Sequence, residues 1–399
     1  MFNPIHKTVD PNVLVPLDYW KEGATFPPDD SAGRYEQLTR YTDLFQGNFD
    51  SILPQDWLYP ENDPVQENLF HLVADLRTRF LMAAPPEAPI DSELADELFD
   101  TMHDVLYNYT IYGTGIFYVY RDGTPHIESV NPTNWFPAEG GDALVWELAD
   151  TYEVHILTPE KNTRITFERR NGVRRLGKQL GDTEEYPPLA SRQIFPCGNR
   201  PKHGEWGTSI IPQIGPLVVE IVKINSRTSD IHENSSEPFL FIERGVPTDA
   251  ERVARGAAQK GATRGMKDQI EALRIGHQRK RGVIRNVNGK ITAVPTLADT
   301  QDMREQAKAL MNKVYVLTAT PVNFLGSQDG FASTPVSGET IRRGNAYAEV
   351  TLESIQKEVL KCANKALSLV ERRDIELDWK NPFEELDEDR ESDNLRDLE

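Results

Sequence analysis

A chain of 399 residues with 38% hydrophobic and 9% aromatic content is long enough for more than one core and has the composition of a folded globular protein. Its 44 basic and 63 acidic residues leave a formal charge of -19, which argues against a protein that simply coats nucleic acid. Two cysteines, Cys197 and Cys362, exclude a disulfide framework, and no CxxC or Cys/His cluster suggests zinc. No apolar run approaches the roughly 18 residues that cross a bilayer, and the opening MFNPIHKTVDPN has no leader pattern, so a soluble protein without export is expected.

After a Pro/Asp-rich entry, YEQLTRYTDLFQGNF carries apolar and aromatic residues at helical spacing and predicts a short helix within Arg34 to Phe49. A second helix is predicted over Gln66 to Met82, with Leu69, Val73, Leu76 and Phe80 on one face, stopped by the prolines of APPEAP. A third runs from Ser92 to Tyr109. The period then changes from 3.6 to 2. GIFYVYRDGTPHIESV, Gly115 to Val130, reads as a hairpin turning at Asp122-Gly123, and ALVWEL, TYEVHIL and TRITFERRNGVRRL continue the series, the last turning at Asn171-Gly172. Helices in a block followed by strands in a block predict an α+β fold with an antiparallel sheet.

Helical spacing returns from Ile211 to Ser235, where Leu217, Val218, Ile221, Ile224 and Ile231 form one stripe and Pro212 and Pro216 suit the first turns. EPFLFIERG is a short strand. Thr248 to His277 reads as another long helix, although Gly256, Gly261 and Gly265 each weaken it by about 1 kcal/mol relative to alanine. Strands in RGVIRNVNGKITAV, a helix over Asp299 to Leu317 and a helix over Ser337 to Leu369 complete the order. The tail from Glu371 to Glu399, with thirteen acids against five bases, is expected to be largely solvated.

Between the last two helices lies a connection too long for its neighbours, TATPVNFLGSQDGFASTPVSGETIR; loops of this length are disordered or functional. Asp329 is the one charge between Thr318 and Glu339, and glycines and prolines alternate along the segment. By contrast, Thr248 to Gly282 holds nine Lys/Arg against four acids, with Lys260, Arg264, Lys267 and Arg274 on one helical face. That face is open to three readings: solvated, paired with acids of neighbouring subunits, or facing phosphates.

Enzymatic motifs are weak. GVRRLGKQ, Gly172 to Gln179, departs from a P-loop because Gln179 stands where magnesium needs Ser or Thr, and the context reads as a turn. Cys197 and His203 are too loosely tied to make a nucleophile and base. His126 and Glu128 share a strand face but are two residues only, and Gly113 with Gly115 lacks a third glycine. No catalytic, cofactor or metal residue is expected.

In combination, YTDLFQGNF, YGTGIFYVYRDGTPHIESVNPTNWFPA, IIPQIGPLVVEIVKINSRTSDIHENSSEPFLFIERGV, LADTQDMREQAKALMNKVYVLTATPVNFLG and SGETIRRGNAYAEVTLESIQKEVL make the chain resemble a tailed-bacteriophage, siphophage-type portal protein. The resemblance implies a non-enzymatic ring of twelve subunits at one capsid vertex, through which double-stranded DNA is packaged and ejected. It implies a wing over 1–208, stem helices over 209–235 and 248–280 around a clip at 236–247, and a wing return over 281–317. A tunnel loop over 318–337, a wing-to-crown helix over 338–372 and an acidic tail over 373–399 follow. It makes Asn323, Ser327, Gln328, Asp329, Phe331 and Ser333 channel-facing, Lys260, Arg264, Lys267 and Arg274 basic stem residues, and Phe239, Phe241, Glu243 and Arg244 clip residues. The implied partners are terminase, a head-tail adaptor, the major capsid protein and a scaffold, with no membrane. The implied location is the virion, and the host cytoplasm during assembly. Another head-tail structural protein, such as a connector or minor head protein, is the alternative, and an enzyme without a recognisable motif a distant one.

Overall fold

The computed structural model describes residues 13–49, 68–83, 86–87, 89–170, 172–190, 192–199, 206–236, 239–244, 289–294, 300–320 and 338–380. The chain divides into two compact units, residues 225–304 forming one and the flanking segments the other.

In the larger unit, helix α1 (Ala32–Phe45) is followed by α2 (Leu69–Leu81) and α3 (Ser92–Tyr112). The starts of α2 and α3 are fixed by side chains: Asn68 accepts from the backbone N–H of His71, and Asp91 from that of Glu93. Helix α3 ends where Gly113 turns to φ 81°, and the chain enters β1 (Thr114–Asp122) at once. Strand β1 pairs antiparallel with β2 (Thr124–Ser129) across Gly123, as its sequence predicts.

The other edge of β1 is taken by β8 (Ile194–Gly198), from a Pro/Gly-rich segment that gives no alternating signal. This three-stranded sheet, in the order β2-β1-β8, is separate from a five-stranded one. The latter comprises β3 (Trp135–Ala138), β4 (Gly141–Glu147), β5 (Thr151–Leu157), β6 (Asn162–Glu168) and β7 (Glu184–Tyr186) in sequence order, all antiparallel. The single strand series read from the sequence therefore becomes two sheets.

Period-2 geometry explains how three clusters share these strands. Ile116 and Tyr118 of β1 join α1, α2 and helix α4 (Ile211–Ser236) in one cluster, while Phe117 and Val119 join α3 and the last helix in another. Likewise Leu144 of β4 belongs to the first cluster, and Ala143 and Val145 to a third with Trp20, Phe26 and Phe136.

Helix α4 is the helix its sequence predicts, ending one residue later at Ser236. Ser209 fixes its start, donating to the carbonyl of Ile111 and accepting from the N–H of Ile211. Ile214, Val218, Val219, Ile221 and Val222 are buried in the first cluster, which also holds Val314 and Tyr315 of α5 (Gln301–Leu317). The last helix, α6 (Gly338–Glu371), buries Leu352, Ile355, Val359, Ala363, Ala366 and Leu367 in the second cluster.

Within the smaller unit, β9 (Phe239–Arg244) pairs antiparallel with β10 (Gly289–Val294) along its whole length. Residues 289–294, read from the sequence as part of the wing return, thus pair with the strand read as part of the clip. In the same unit the Thr228 hydroxyl lies 3.9 Å from the Met303 sulfur, so α4 and α5 are also neighbours there.

Two more expectations change. The return onto β6 comes later than GVRRL, at 177–180, where Gly177 donates to Glu168, Glu168 to Lys178 and Leu180 to Thr166. GVRRL itself pairs elsewhere: Leu176 donates to Ala24, and Gly23 and Phe26 donate to Leu176 and Arg174, with Leu176 buried in the third cluster. The acidic tail is not solvated from its start. Ile375, Leu377 and Trp379 are buried, Trp379 Nε1 donates to Leu81, and Asp378 exchanges backbone bonds with Glu87.

Candidate functional site

The long connection after α5 begins from a rigid base. Thr320 N–H reaches back to the Tyr315 carbonyl at 2.9 Å and Ala319 N–H to that of Val316 at 3.2 Å, the paired bonds of a Schellman helix end. That geometry needs a left-handed residue, and Ala319 supplies it at φ 53° where glycine is usual. The Thr318 hydroxyl is 2.8 Å from both the Val314 carbonyl and the Thr320 hydroxyl, and all three residues are buried. The direction in which the chain leaves the helix is thus set by buried hydrogen bonds.

The residues assigned to the channel, Asn323, Ser327, Gln328, Asp329, Phe331 and Ser333, lie outside the described residues, as do the basic stem candidates Lys260, Arg264, Lys267 and Arg274. The expected helix over Thr248 to His277 also lies outside them. The clip candidates fall on β9, with Phe239 opposite Val294, Phe241 opposite Thr292, Glu243 opposite Lys290 and Arg244 opposite Gly289.

Residues weighed for chemistry take structural places. Cys197 lies in a buried strand rather than a loop, its thiol 3.2 Å from the Gly115 carbonyl, and burial holds it in the neutral thiol form. Cys362 of α6 contacts the adjacent Pro196 carbonyl at 3.4 Å; His203 is outside the described residues. His126 Nδ1 is 3.1 Å from Glu97, whose carboxylate also accepts from the Ile127 N–H, while burial and the neighbouring Glu97 raise the Glu128 carboxyl. Among the described residues no group of three or more His, Cys, Asp or Glu could hold a metal.

Gly113 and Gly115 are packing glycines. A Cβ at Gly113 would strike the backbone of Thr208 and Ser209, and one at Gly115 would strike Val105. Gly172, with φ 78°, is a turn that leads into pairing with 23–26 rather than into a helix, so no phosphate cradle forms.

Two features escaped the sequence reading. Arg34 is buried with its guanidinium 4.6 Å over the Trp206 ring and 5.7 Å from that of Phe136, and Nη1 makes no hydrogen bond to protein. Burial lowers its pKa to about 10. It stands on α1 at an apolar-facing position, and only the distant Trp135–Trp206 pair, with ring centroids 4.7 Å apart, explains it. The second is a basic run, Arg169, Arg170, Arg174, Arg175 and Lys178, beside β6; in a chain of this net charge, five bases without an acid over 169–178 are a visible signal.

No family model matches the chain, and no curated protein matches it. Solved structures do. The chain is similar to one from the virion of a native gene transfer agent particle, at 13% identity over 94% of this chain and 91% of that one, with a TM-score of 0.49. It is similar to one from the neck of an empty gene transfer agent particle, at 13% identity, 88% and 87% coverage and a TM-score of 0.49. It is also similar to an HK97-family phage portal protein from Corynebacterium diphtheriae, at 12% identity, 80% and 93% coverage and a TM-score of 0.37.

Proposed function

We propose that the chain is the subunit of a phage portal ring, the channel at one capsid vertex through which double-stranded DNA passes. One observation carries this reading. The first half of α4 is buried in the first cluster of the larger unit, the chain then forms a distinct unit that contains the β9–β10 pair, and the end of α5 belongs to the same cluster as α4. Two helices that flank a small separate unit in chain order are what a stem and clip require.

The pairing of β9 with β10 supports a revised division, in which α5 rather than 248–280 is the second stem leg and the clip spans 239–294. The segment from 321 to 337 is then the tunnel loop, held at one end by the Thr318–Thr320 base. Its lack of Lys and Arg suits a wall that guides DNA without gripping phosphates, since each phosphate contact adds affinity through counterion release. No catalytic role is proposed; terminase would supply ATP hydrolysis and dock on the clip, with the head-tail adaptor, major capsid protein and scaffold as further partners. In the cell the ring would assemble in the host cytoplasm and end in the virion.

Negative-stain imaging with mass determination of the purified chain tests this. Rings with a central hole and a mass near twelve subunits are expected. Compact monomers that persist at high concentration and with scaffold present would overturn the reading.

A further inference from the structure

The basic run beside β6 is independent of the channel reading, and part of it is left without acids. Arg169 pairs with Glu147 and Arg170 with Glu168, so these two are neutralised; Glu22 adds a weaker attraction to Arg170. Arg174, Arg175 and Lys178 are exposed, and among the described residues no carboxylate lies within ion-pair distance of any of them. Their backbones are not mobile strings: Arg174 and Leu176 accept from Phe26 and Gly23, and Lys178 accepts from Glu168 at 2.8 Å. Two apolar side chains stand in the same run, Val173 at 47% and Leu180 at 42% exposure. Three exposed cations and two exposed aliphatic side chains within residues 173–180, on a backbone held by hydrogen bonds, suit an acidic, partly apolar segment.

The chain carries such a segment. Residues 381–399, NPFEELDEDRESDNLRDLE, contain nine acids and two bases, with Phe383, Leu386, Leu395 and Leu398 spaced among them. The described chain ends at Lys380, tied down by Gln356, whose side-chain amide donates to the carbonyls of Trp379 and Lys380 at 2.9 and 3.0 Å. From that anchor, nineteen residues reach up to about 63–68 Å when extended. A tether of this length also presents its charges at an effective concentration in the millimolar range, which an untethered polyanion must exceed.

We propose that Arg174, Arg175 and Lys178 are the docking surface for the acidic segment 381–399 of this protein, in the same subunit or a neighbouring copy. The contact screens three cations that would otherwise attract DNA or another polyanion.

Carbodiimide coupling of the full chain, read by peptide mass spectrometry, tests the contact directly, because it joins a lysine only to a touching carboxylate. Lys161 and Glu185, 2.5 Å apart, are the internal control. Coupling of Lys178 to acids within 381–399 is expected, suppressed in 0.5 M salt by about the factor that a few screened ion pairs imply. Control coupling without any Lys178–tail product overturns the proposal. Mixing isotope-labelled and unlabelled chain separates the two sources: mixed-mass products mean a neighbouring copy, single-mass products the same subunit.

A second measurement uses a fluorescent duplex oligonucleotide. Deleting 381–399 should tighten its binding about tenfold, and Arg174→Glu with Arg175→Glu and Lys178→Glu in the deleted chain should abolish that gain. Equal binding by full and deleted chains, or a gain that survives charge reversal, would show that the tail does not cover this surface.

Discussion

The two sheets of the larger unit are built on different terms. The three-stranded sheet is covered on both faces, so Ile116, Phe117, Tyr118 and Val119 of β1 are all buried in succession, and its third strand arrives from far along the chain. The five-stranded sheet is connected strand to strand, and β5 alternates between buried Tyr152 and Val154 and the partly exposed residues between them. The first depends on long-range closure and on glycines that let backbones touch; the second on local hairpins and one good face.

The comparison is broken most sharply at Gly113. Gly113→Ala puts a Cβ into the Thr208–Ser209 backbone and forces a non-glycine residue to φ 81°, so a loss of about 3 kcal/mol or more is expected in chemical denaturation. Gly140→Ala, at a turn of the five-stranded sheet with φ 80° but open space around it, should cost about 1 kcal/mol. Equal effects would refute the distinction. Next, Trp379→Ala removes a buried side chain and its bond to Leu81 from the doubly covered side, and should cost about 3–5 kcal/mol. A loss under about 1 kcal/mol would mean that residues 372–380 do not pack as described.

A pH dependence belongs to the five-stranded sheet. Burial lowers the His155 pKa from 6.5, partly opposed by Glu153 at 2.7 Å, so the folded state takes up a proton at lower pH than the unfolded state. Unfolded chain then binds more protons below pH 6.5, and stability falls as pH drops through that value. Glu153 acts further down: burial raises its pKa, but bonds from His155 and Arg164 outweigh it and the net shift is downward from 4.5. Its stabilisation is present above 4.5 and is lost as pH falls through the lower folded value. Melting temperature measured against pH should therefore decline below 6.5 and again below 4.5, and His155→Gln should abolish the upper step and reduce the lower one, which Arg164 still supports. The smallest effect lies at the loop base, where Ala319→Gly relieves the positive φ and should stabilise by at most about 1 kcal/mol. Destabilisation there would mean that alanine's buried methyl contributes more than the backbone strain costs.

Much of this architecture was legible. The α+β order, the Asp122-Gly123 hairpin, α4 to within one residue, and β9 all follow from period and turn chemistry. Strand β8 was not, because Pro196, Cys197 and Gly198 have poor strand propensity and are held by partners eighty residues earlier. The loop expected to face the channel carries a single charge, Asp329, and only its base is described: the Schellman end at Ala319 carries no glycine to announce it.

By itself the sequence determined what local forces decide: which segments are helical, where hairpins turn, that the chain is strongly acidic, and that one loop lacks Lys and Arg. Tertiary structure decided what depends on partners distant in the chain. Leu176 joined the N-terminal segment instead of β6, Trp379 turned an acidic tail's first residues inward, β10 paired with β9, and Arg34 was buried over Trp206. The reason is the same in each case. Burying a large side chain or completing a strand edge is worth more than a local preference of a few tenths of a kcal/mol, and neither is visible until the partner's place is known.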